Sequence, residues 1–145
     1  MIKFNNQEIK FALKNKTGLK QWIIGVIEKK KYKTGEINFV FCSDEYLLSI
    51  NQQYLKHNTY TDIITFDYSD KSTPIKKGLV EVSGDIFISI DRVEENAKKF
   101  SKTTENELHR VMIHGVLHLL GYTDKSKKAK EEMTKQEDAC LKALA

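Results

Sequence analysis

The chain has 145 residues, a length typical of one globular domain with a sizeable apolar core. Hydrophobic residues make up 40% of it and charged residues 30%, which excludes a disordered chain, and no apolar run reaches the length of about 18 residues that a membrane span needs. The net charge of +4 only weakly indicates an anionic partner, because lysine-rich surfaces are common. The N-terminus lacks the apolar segment of a signal peptide, and the two cysteines form no C-x-x-C motif. We therefore expect one cytoplasmic domain over residues 1–145 with reduced thiols.

Hydrophobic spacing predicts elements in the order β, α, β, α, β, β, α, α, α. This order favours an α+β domain with a small mixed sheet, in which the first strands can pair in parallel through helical crossovers and the last two can pair antiparallel. A polar loop over residues 69–78 separates the last two strands. After an opening strand, the predicted strands cover 36–43, 61–68 and 79–90, and the predicted helices cover 19–32, 44–55, 91–100, 107–120 and about 126–144.

Several short signals mark the ends of these elements. Ser43 is a predicted helix cap. Asp91 and Thr104 are each followed three residues later by a glutamate, and this spacing predicts a capping box that starts at each of them. Gly121 follows the penultimate helix as a predicted C′ residue. Gly84 interrupts the apolar face of the last strand, which indicates a bulge or a close backbone approach.

The penultimate helix carries two histidines on one face. His114 and His118 are four residues apart in a largely apolar helix, which places them about 6 Å apart along its axis. Buried imidazoles need partners, because an unpaired polar group costs about 1–3 kcal/mol. Gly121 can adopt positive φ and turn the chain back, so that Asp124 is the first following side chain with ligand chemistry. The pattern H-x3-H-x2-G-x2-D therefore offers zinc two nitrogens and one carboxylate oxygen, with a fourth position open for water.

Other interpretations of this stretch stay open. A histidine pair at this spacing is often incidental, and Asp124 can instead cap the last helix. The spacing is similar to the metzincin protease signature H-E-x-x-H-x-x-G-x-x-H, but Gly115 stands where that signature has its general base. The pattern therefore favours a metal site and disfavours peptide hydrolysis.

Three segments resemble one family. HGVLHLLGYTD, residues 114–124, resembles the H-G-x-L-H-L-x-G-Y-D-H signature of the YbeY family of rRNA maturation factors and single-strand-specific endoribonucleases. NQQYLKHNTYTDIITF, residues 51–66, is similar to the family's N-x-x-Y-R-x-x-D-x-x-T-D-V-L-S-F block, and SGDIFIS, residues 83–89, to its G-D-I-x-I-S strand.

The resemblance implies a mixed four-stranded sheet surrounded by helices and a zinc ion near the end of the penultimate helix. It implies an endoribonuclease that matures the 3′ end of 16S rRNA and acts in ribosome quality control, with rRNA and the small ribosomal subunit as partners and without DNA or a membrane. Counting from Gly121, Asp124 takes the place of the family's third histidine ligand. A carboxylate makes the zinc centre less positive by one charge, so bound water should be less acidic.

A second departure from the family concerns a cation. The arginine of N-x-x-Y-R, expected to meet RNA phosphate or the reacting group, is Leu55 here. Lys56 and His57 follow as candidate substrate-binding residues, and Arg110, one turn before the first histidine, is the predicted catalytic substitute. An ion pair between Arg110 and a neighbouring carboxylate such as Glu107 is an equal alternative.

Four further residues have alternative roles. Asp85 either lines the cleft as a substrate-binding residue or bonds nearby backbone. His109 lies about 140° around the helix from the first histidine, which excludes it from the predicted metal site and favours a surface or capping role. Tyr54 and Tyr122 can stack on a base, but core packing is the prediction for both.

The ligand spacing and the family resemblance together imply a zinc-dependent endoribonuclease in which no residue stands out as general base. The ligand set also suits nickel and other transition metals. A zinc-dependent hydrolase of another substrate, a non-enzymatic ribosome-associated factor with a structural metal, and an α+β domain without metal are the alternatives.

Overall fold

The computed structural model describes residues 1–69 and 80–144 of the chain. Its elements follow the predicted order, and most of the polar loop predicted over 69–78 lies outside the described residues. The strands are β1 (Ile2–Gln7), β2 (Tyr32–Cys42), β3 (Ile63–Asp67) and β4 (Val80–Ser89). The helices are α1 (Lys16–Lys29), α2 (Asp44–Leu55), α3 (Ile90–Lys99), α4 (Thr104–Leu119) and α5 (Lys127–Leu144).

The four strands form one mixed sheet in the order β1-β2-β4-β3. β1 pairs in parallel with β2, and β2 pairs in parallel with β4, whereas β3 pairs antiparallel with β4 and forms an edge of the sheet. The predicted α+β class and mixed sheet are therefore confirmed. Among the described residues, every helix is too short or too polar to cross a membrane.

The core lies between one face of the sheet and helices α1 and α4. Val82, Ile86 and Ile88 alternate along β4 and are completely buried, as period-two spacing requires. Burial of each such side chain stabilises the fold by about 1.5–3 kcal/mol. Gly84 continues this face, and a Cβ atom there would lie 2.8 Å from Leu119 Cδ2 and 2.5 Å from a backbone oxygen of β3. The structure shows the predicted close approach at Gly84, and it also shows a register shift beside it, on β2 between the pairs Thr34–Val82 and Ile37–Gly84.

The helix caps differ in part from the prediction. Ser43 caps α2 as predicted, but the two predicted capping boxes are wrong, because Ser89 rather than Asp91 caps α3 and Thr103 rather than Thr104 caps α4. In each case the side-chain oxygen accepts the backbone N–H three residues later. β4 runs directly into α3, so its last residue serves as the cap. Thr103 still has extended backbone angles, whereas Thr104 is already helical.

Candidate metal centre

Helix α4 approaches the sheet closely at the point where its histidines lie. A Cβ atom on Gly115 would be 2.8 Å from Ile86 Cγ2 and 2.9 Å from Ile63 Cδ1, so any side chain at this position would collide with the sheet. The bare Cα therefore lets α4 lie directly on β3 and β4. Gly115 both lacks the proton acceptor of a protease and sets the depth of the helix that carries His114 and His118.

The turn after α4 brings the chain back toward these histidines. Gly121 has a φ of 100°, and its N–H donates to the carbonyl of His118 at 3.0 Å. The next N–H, of Tyr122, donates to the carbonyl of Leu117 at 3.0 Å. These two bonds form a Schellman motif, which confirms the predicted C′ role of Gly121. The reversal places Asp124 beside the histidine pair.

Three potential ligand atoms converge at this point. His118 Nε2 lies 2.9 Å from His114 Nε2, and Asp124 Oδ2 lies 3.4 Å from the first histidine and 3.6 Å from the second. A tetrahedral ion with bonds of about 2.0–2.1 Å to its ligands separates them by about 3.3 Å. The observed separations bracket that value, so His114, His118 and Asp124 form a possible metal site.

A buried carboxylate on α5 contacts the back of this group. Glu137 Oε2 lies 2.5 Å from His114 Nδ1, the ring nitrogen that faces away from the other two ligands. Burial alone would lower the pKa of His114, but the hydrogen bond and charge of Glu137, together with Asp124, outweigh burial and raise it. Burial and the neighbouring His114 lower the pKa of His118. The two histidines therefore have different electrostatic surroundings.

The possible metal site opens into a cleft of about 610 Å³. Its walls come from the end of α2, the loop after it, β3 and the turn after α4. His57 and Leu55 line this cleft, and Lys56 lies between them as an exposed residue in the left-handed conformation that ends α2. Of the two residues predicted to bind substrate, His57 thus lines the cleft, and Lys56 is its exposed neighbour in the chain.

Asp85 is placed differently. It follows Gly84 on β4 and therefore faces the side of the sheet opposite α4. Its carboxylate accepts hydrogen bonds from Asn38 at 3.0 Å and from the hydroxyl of Tyr68 at 3.1 Å. This geometry favours bonding across neighbouring strands for Asp85, and its predicted contact with substrate stays a prediction.

Arg110 lies one turn before His114 on α4, and its terminal nitrogens face α5. Nη1 donates to Glu137 at 2.8 Å, and Nη2 donates to Asp138 at 2.6 Å. It is therefore ion-paired, as the alternative interpretation held, although with these two carboxylates rather than with Glu107. Both terminal nitrogens are thus engaged by α5 instead of being directed at an open position.

Two acidic residues near the site, Asp62 and Glu107, were not predicted to belong to it, although Glu107 was expected to cap α4 or to pair with Arg110. Asp62 lines the cleft, and burial raises its pKa, although the charge of His114 opposes that effect. Glu107 is 9% exposed, and burial followed by the charge of Asp62 raises its pKa. Asp62 immediately precedes the apolar run of β3. A carboxylate at the start of such a run was the sequence signal that could have identified it as a candidate site residue.

The remaining candidates divide between surface and interior. Tyr54 is 59% exposed, so the prediction of core packing for it is wrong. Tyr122 is partly buried against the core, as predicted, and its hydroxyl accepts a hydrogen bond from Lys30 at 3.1 Å. The ring of His109 packs 6.2 Å from that of Trp22, away from the cluster, also as predicted.

The fold and site together define an α+β protein with a His-His-Asp ligand group in an open cleft. The family model described as endoribonuclease YbeY matches residues 1–145. A curated relative from Cytophaga hutchinsonii, named endoribonuclease YbeY, is 48% identical over 140 residues, which cover 97% of this chain and 93% of the relative. A relative of the same name from Flavobacterium psychrophilum is 50% identical over 142 residues, which cover 98% of this chain and 95% of the relative.

A solved structure is similar in fold. A solution structure of a protein from Thermotoga maritima matches with a TM-score of 0.67 and 26% identity, covering 99% of this chain and 89% of that one. The chain belongs to the YbeY family of endoribonucleases.

Proposed function

We propose that this chain is a metal-dependent endoribonuclease that cleaves phosphodiester bonds in single-stranded RNA, with zinc as its metal and residues 1–145 as one catalytic domain. The proposal includes a role in the cytoplasm on the 3′ end of 16S rRNA and in ribosome quality control, in contact with the small ribosomal subunit. The convergence of His114 Nε2, His118 Nε2 and Asp124 Oδ2 within 2.9–3.6 Å of one another, in an open cleft, carries the proposal. Membership of an endoribonuclease family supports the choice of RNA as substrate.

The three potential ligand atoms suit zinc. Two imidazole nitrogens and one carboxylate oxygen are ligands that zinc accepts, and three protein ligands are typical of catalytic zinc sites. When bound, such an ion supplies Lewis-acid chemistry, by polarising a phosphoryl oxygen or lowering the pKa of water.

The charges of the cleft favour a bound cation when the substrate is RNA. Asp62, Asp67 and Asp124 all line it, so a phosphodiester would meet three acidic side chains. Like charges within one cleft disfavour binding, and a divalent cation held by the triad of His114, His118 and Asp124 offsets part of that charge. The cleft volume of about 610 Å³ lies within the range of ligand sites, roughly 300–1,000 Å³.

The residues around the triad have distinct proposed roles. Lys56 and His57 are the proposed contacts for phosphates of the bound strand, because His57 lines the cleft and Lys56 precedes it at the end of α2, next to Leu55, where the family has an arginine. Gly115 offers no side chain that could act as the general base of a protease. Arg110 was the predicted catalytic cation, but its ion pairs with Glu137 and Asp138 favour a role in holding the site together.

Metal content and RNA cleavage, measured on the same preparations, test this proposal. We expect about one zinc per chain in the unaltered protein, and loss of both metal and cleavage in His114→Ala and in His118→Ala. His109→Ala, on the same helix but away from the cluster, is the matched control and should keep both. Asp124→His should retain metal whereas Asp124→Ala should weaken its binding, because histidine replaces one ligand atom with another.

Each failure has a different meaning. If RNA cleavage persists undiminished in both histidine variants, the cleavage comes from a contaminant or from another site. If metal binds but RNA is only retained and not cut, the protein is a binding factor with a structural metal. If the unaltered protein contains no metal and His114→Ala cleaves RNA as well as it does, the proposed metal centre is wrong.

A further inference from the structure

Glu137 is a buried carboxylate on the inner side of α5. It is 6% exposed, and its neighbours on that side, Met133 and Cys140, belong to the apolar core. An apolar residue would fill such a position at no electrostatic cost, whereas a buried carboxylate is tolerated only when it is paired and hydrogen-bonded. The partners of Glu137 therefore indicate why a charge can lie there.

Both oxygens of Glu137 are engaged, and each contacts a different residue of α4. Oε2 lies 2.5 Å from His114 Nδ1, and Oε1 accepts from Arg110 Nη1 at 2.8 Å. Asp138 accepts from the other terminal nitrogen of Arg110 at 2.6 Å, which fixes the guanidinium between the two carboxylates. A continuous chain of charge-assisted contacts thus runs from Asp138 through Arg110 and Glu137 to His114.

The geometry points to Glu137 as the positioning residue of the metal centre, an inference that rests on the proposed function. Its carboxylate accepts the Nδ1–H of His114, which selects the tautomer with a free Nε2 lone pair. That lone pair then faces His118 Nε2 and Asp124 Oδ2, at 2.9 and 3.4 Å. Carboxylates that orient a ligating histidine in this way fix its ring and raise its basicity.

Arg110 acts through Glu137 in this arrangement. Its guanidinium neutralises the carboxylate and stops it from turning away from His114. α5 is consequently part of the metal centre, although none of the three ligand atoms comes from it. Glu137 is 23 residues from His114 along the chain. The site is therefore complete only when α5 is docked on α4.

The variant Glu137→Gln tests this role because glutamine has nearly the same shape. His114 and Arg110 contact different oxygens of Glu137. In glutamine only one of these two positions is an acceptor, and the NH₂ group at the other would face a donor. We expect zinc affinity, measured by competition with a chromophoric chelator, to fall about 10- to 100-fold. Glu131→Gln, which removes the same charge from an exposed position of α5, is the matched control and should leave affinity unchanged.

The tautomer of His114 is the second readout, and a residue that only filled space would not affect it. Long-range ¹H–¹⁵N correlation spectra of the metal-free protein, at a pH where the ring is neutral, should show His114 protonated at Nδ1. Glu137→Gln should populate the other tautomer. The spectrum of the unaltered protein tests the inference even if the variant fails to fold.

The outcomes separate this inference from the proposed function. If the unaltered protein binds zinc and Glu137→Gln binds it equally tightly, the positioning role is wrong while the metal centre stands. Protonation of His114 at Nε2 in the unaltered protein would also overturn the role. If the Nδ1–H tautomer is found but no zinc binds, the carboxylate orients the ring as inferred and the proposed function fails.

Discussion

Gly115 offers a sharp test of how α4 is placed against the sheet. Replacing it with alanine adds one methyl group at a point 2.8 Å from Ile86 Cγ2 and 2.9 Å from Ile63 Cδ1. Carbon atoms in favourable contact lie about 3.5–4.0 Å apart, so the helix or both side chains must move. The substitution therefore has two opposite effects on stability: alanine improves helix propensity, and its methyl group disturbs the packing.

A second glycine allows these two effects to be separated. Gly25 lies inside α1 on an exposed face, and a Cβ there would meet nothing within 4 Å. Gly25→Ala should stabilise the protein by about 0.8–1.0 kcal/mol, the difference in helix propensity alone. Gly115→Ala gains the same amount but incurs an overpacking cost of about 1–3 kcal/mol, so it should be neutral to destabilising by about 2 kcal/mol.

Urea denaturation of both variants measures the comparison. The shift in midpoint, with an unchanged dependence of unfolding free energy on urea, gives each change in stability. The two variants should differ by about 1–3 kcal/mol in their free energy of unfolding, because the gain in helix propensity is common to both and only the packing cost remains. Equal stabilisation by both substitutions would refute the close approach of α4 to β3 and β4.

Three further predictions concern a cap, a thiol and a buried acid. Thr103→Ala should cost about 1 kcal/mol in urea denaturation, whereas Thr104→Ala should change stability by less than about 0.5 kcal/mol; the reverse order would restore the sequence-predicted cap. Burial raises the pKa of the Cys42 thiol to about 12, so at pH 8 roughly one thiol in ten thousand is ionised. Alkylation of Cys42 should therefore occur only after the protein unfolds. Rapid labelling of the native protein would contradict the burial of this thiol. Burial raises the pKa of Glu107 from its ordinary value of about 4.5. The folded state therefore keeps this proton to a higher pH than the unfolded state does, and the free energy of unfolding falls as the pH rises above about 4.5. Glu107→Gln should therefore gain stability relative to the unaltered protein between pH 4 and 7, and thermal melts showing a constant difference would exclude this linkage.

The parts of the structure that depend on local pattern were predictable from the sequence. Alternation along β4 and helical spacing along α4 reflect burial directly, so the element order and the mixed sheet followed. The His-His-Asp group was also accessible, because all three residues lie within 11 positions and one glycine turn connects them. Helix starts were less certain, since neighbouring threonines at 103 and 104 offer nearly the same cap.

Contacts between distant elements could not be predicted in the same way. The bond from Glu137 to His114 exists only because α5 docks on α4, and no local spacing specifies that docking. The partners of Arg110 on α5 were missed for the same reason. A partial signal was present, because Glu137 falls between Met133 and Cys140 on the apolar side of α5, where a charged residue is unusual.

The proposed function requires that His114, His118 and Asp124 hold a metal on which RNA cleavage depends. The most direct test is the cleavage rate of a single-stranded RNA after the protein is stripped of metal and zinc is then added back in measured equivalents. We predict that cleavage is lost on stripping, recovers in proportion to zinc, and reaches its maximum at about one equivalent per chain, while His118→Ala stays inactive. Cleavage that survives stripping, or that zinc restores equally in His118→Ala, would contradict the account.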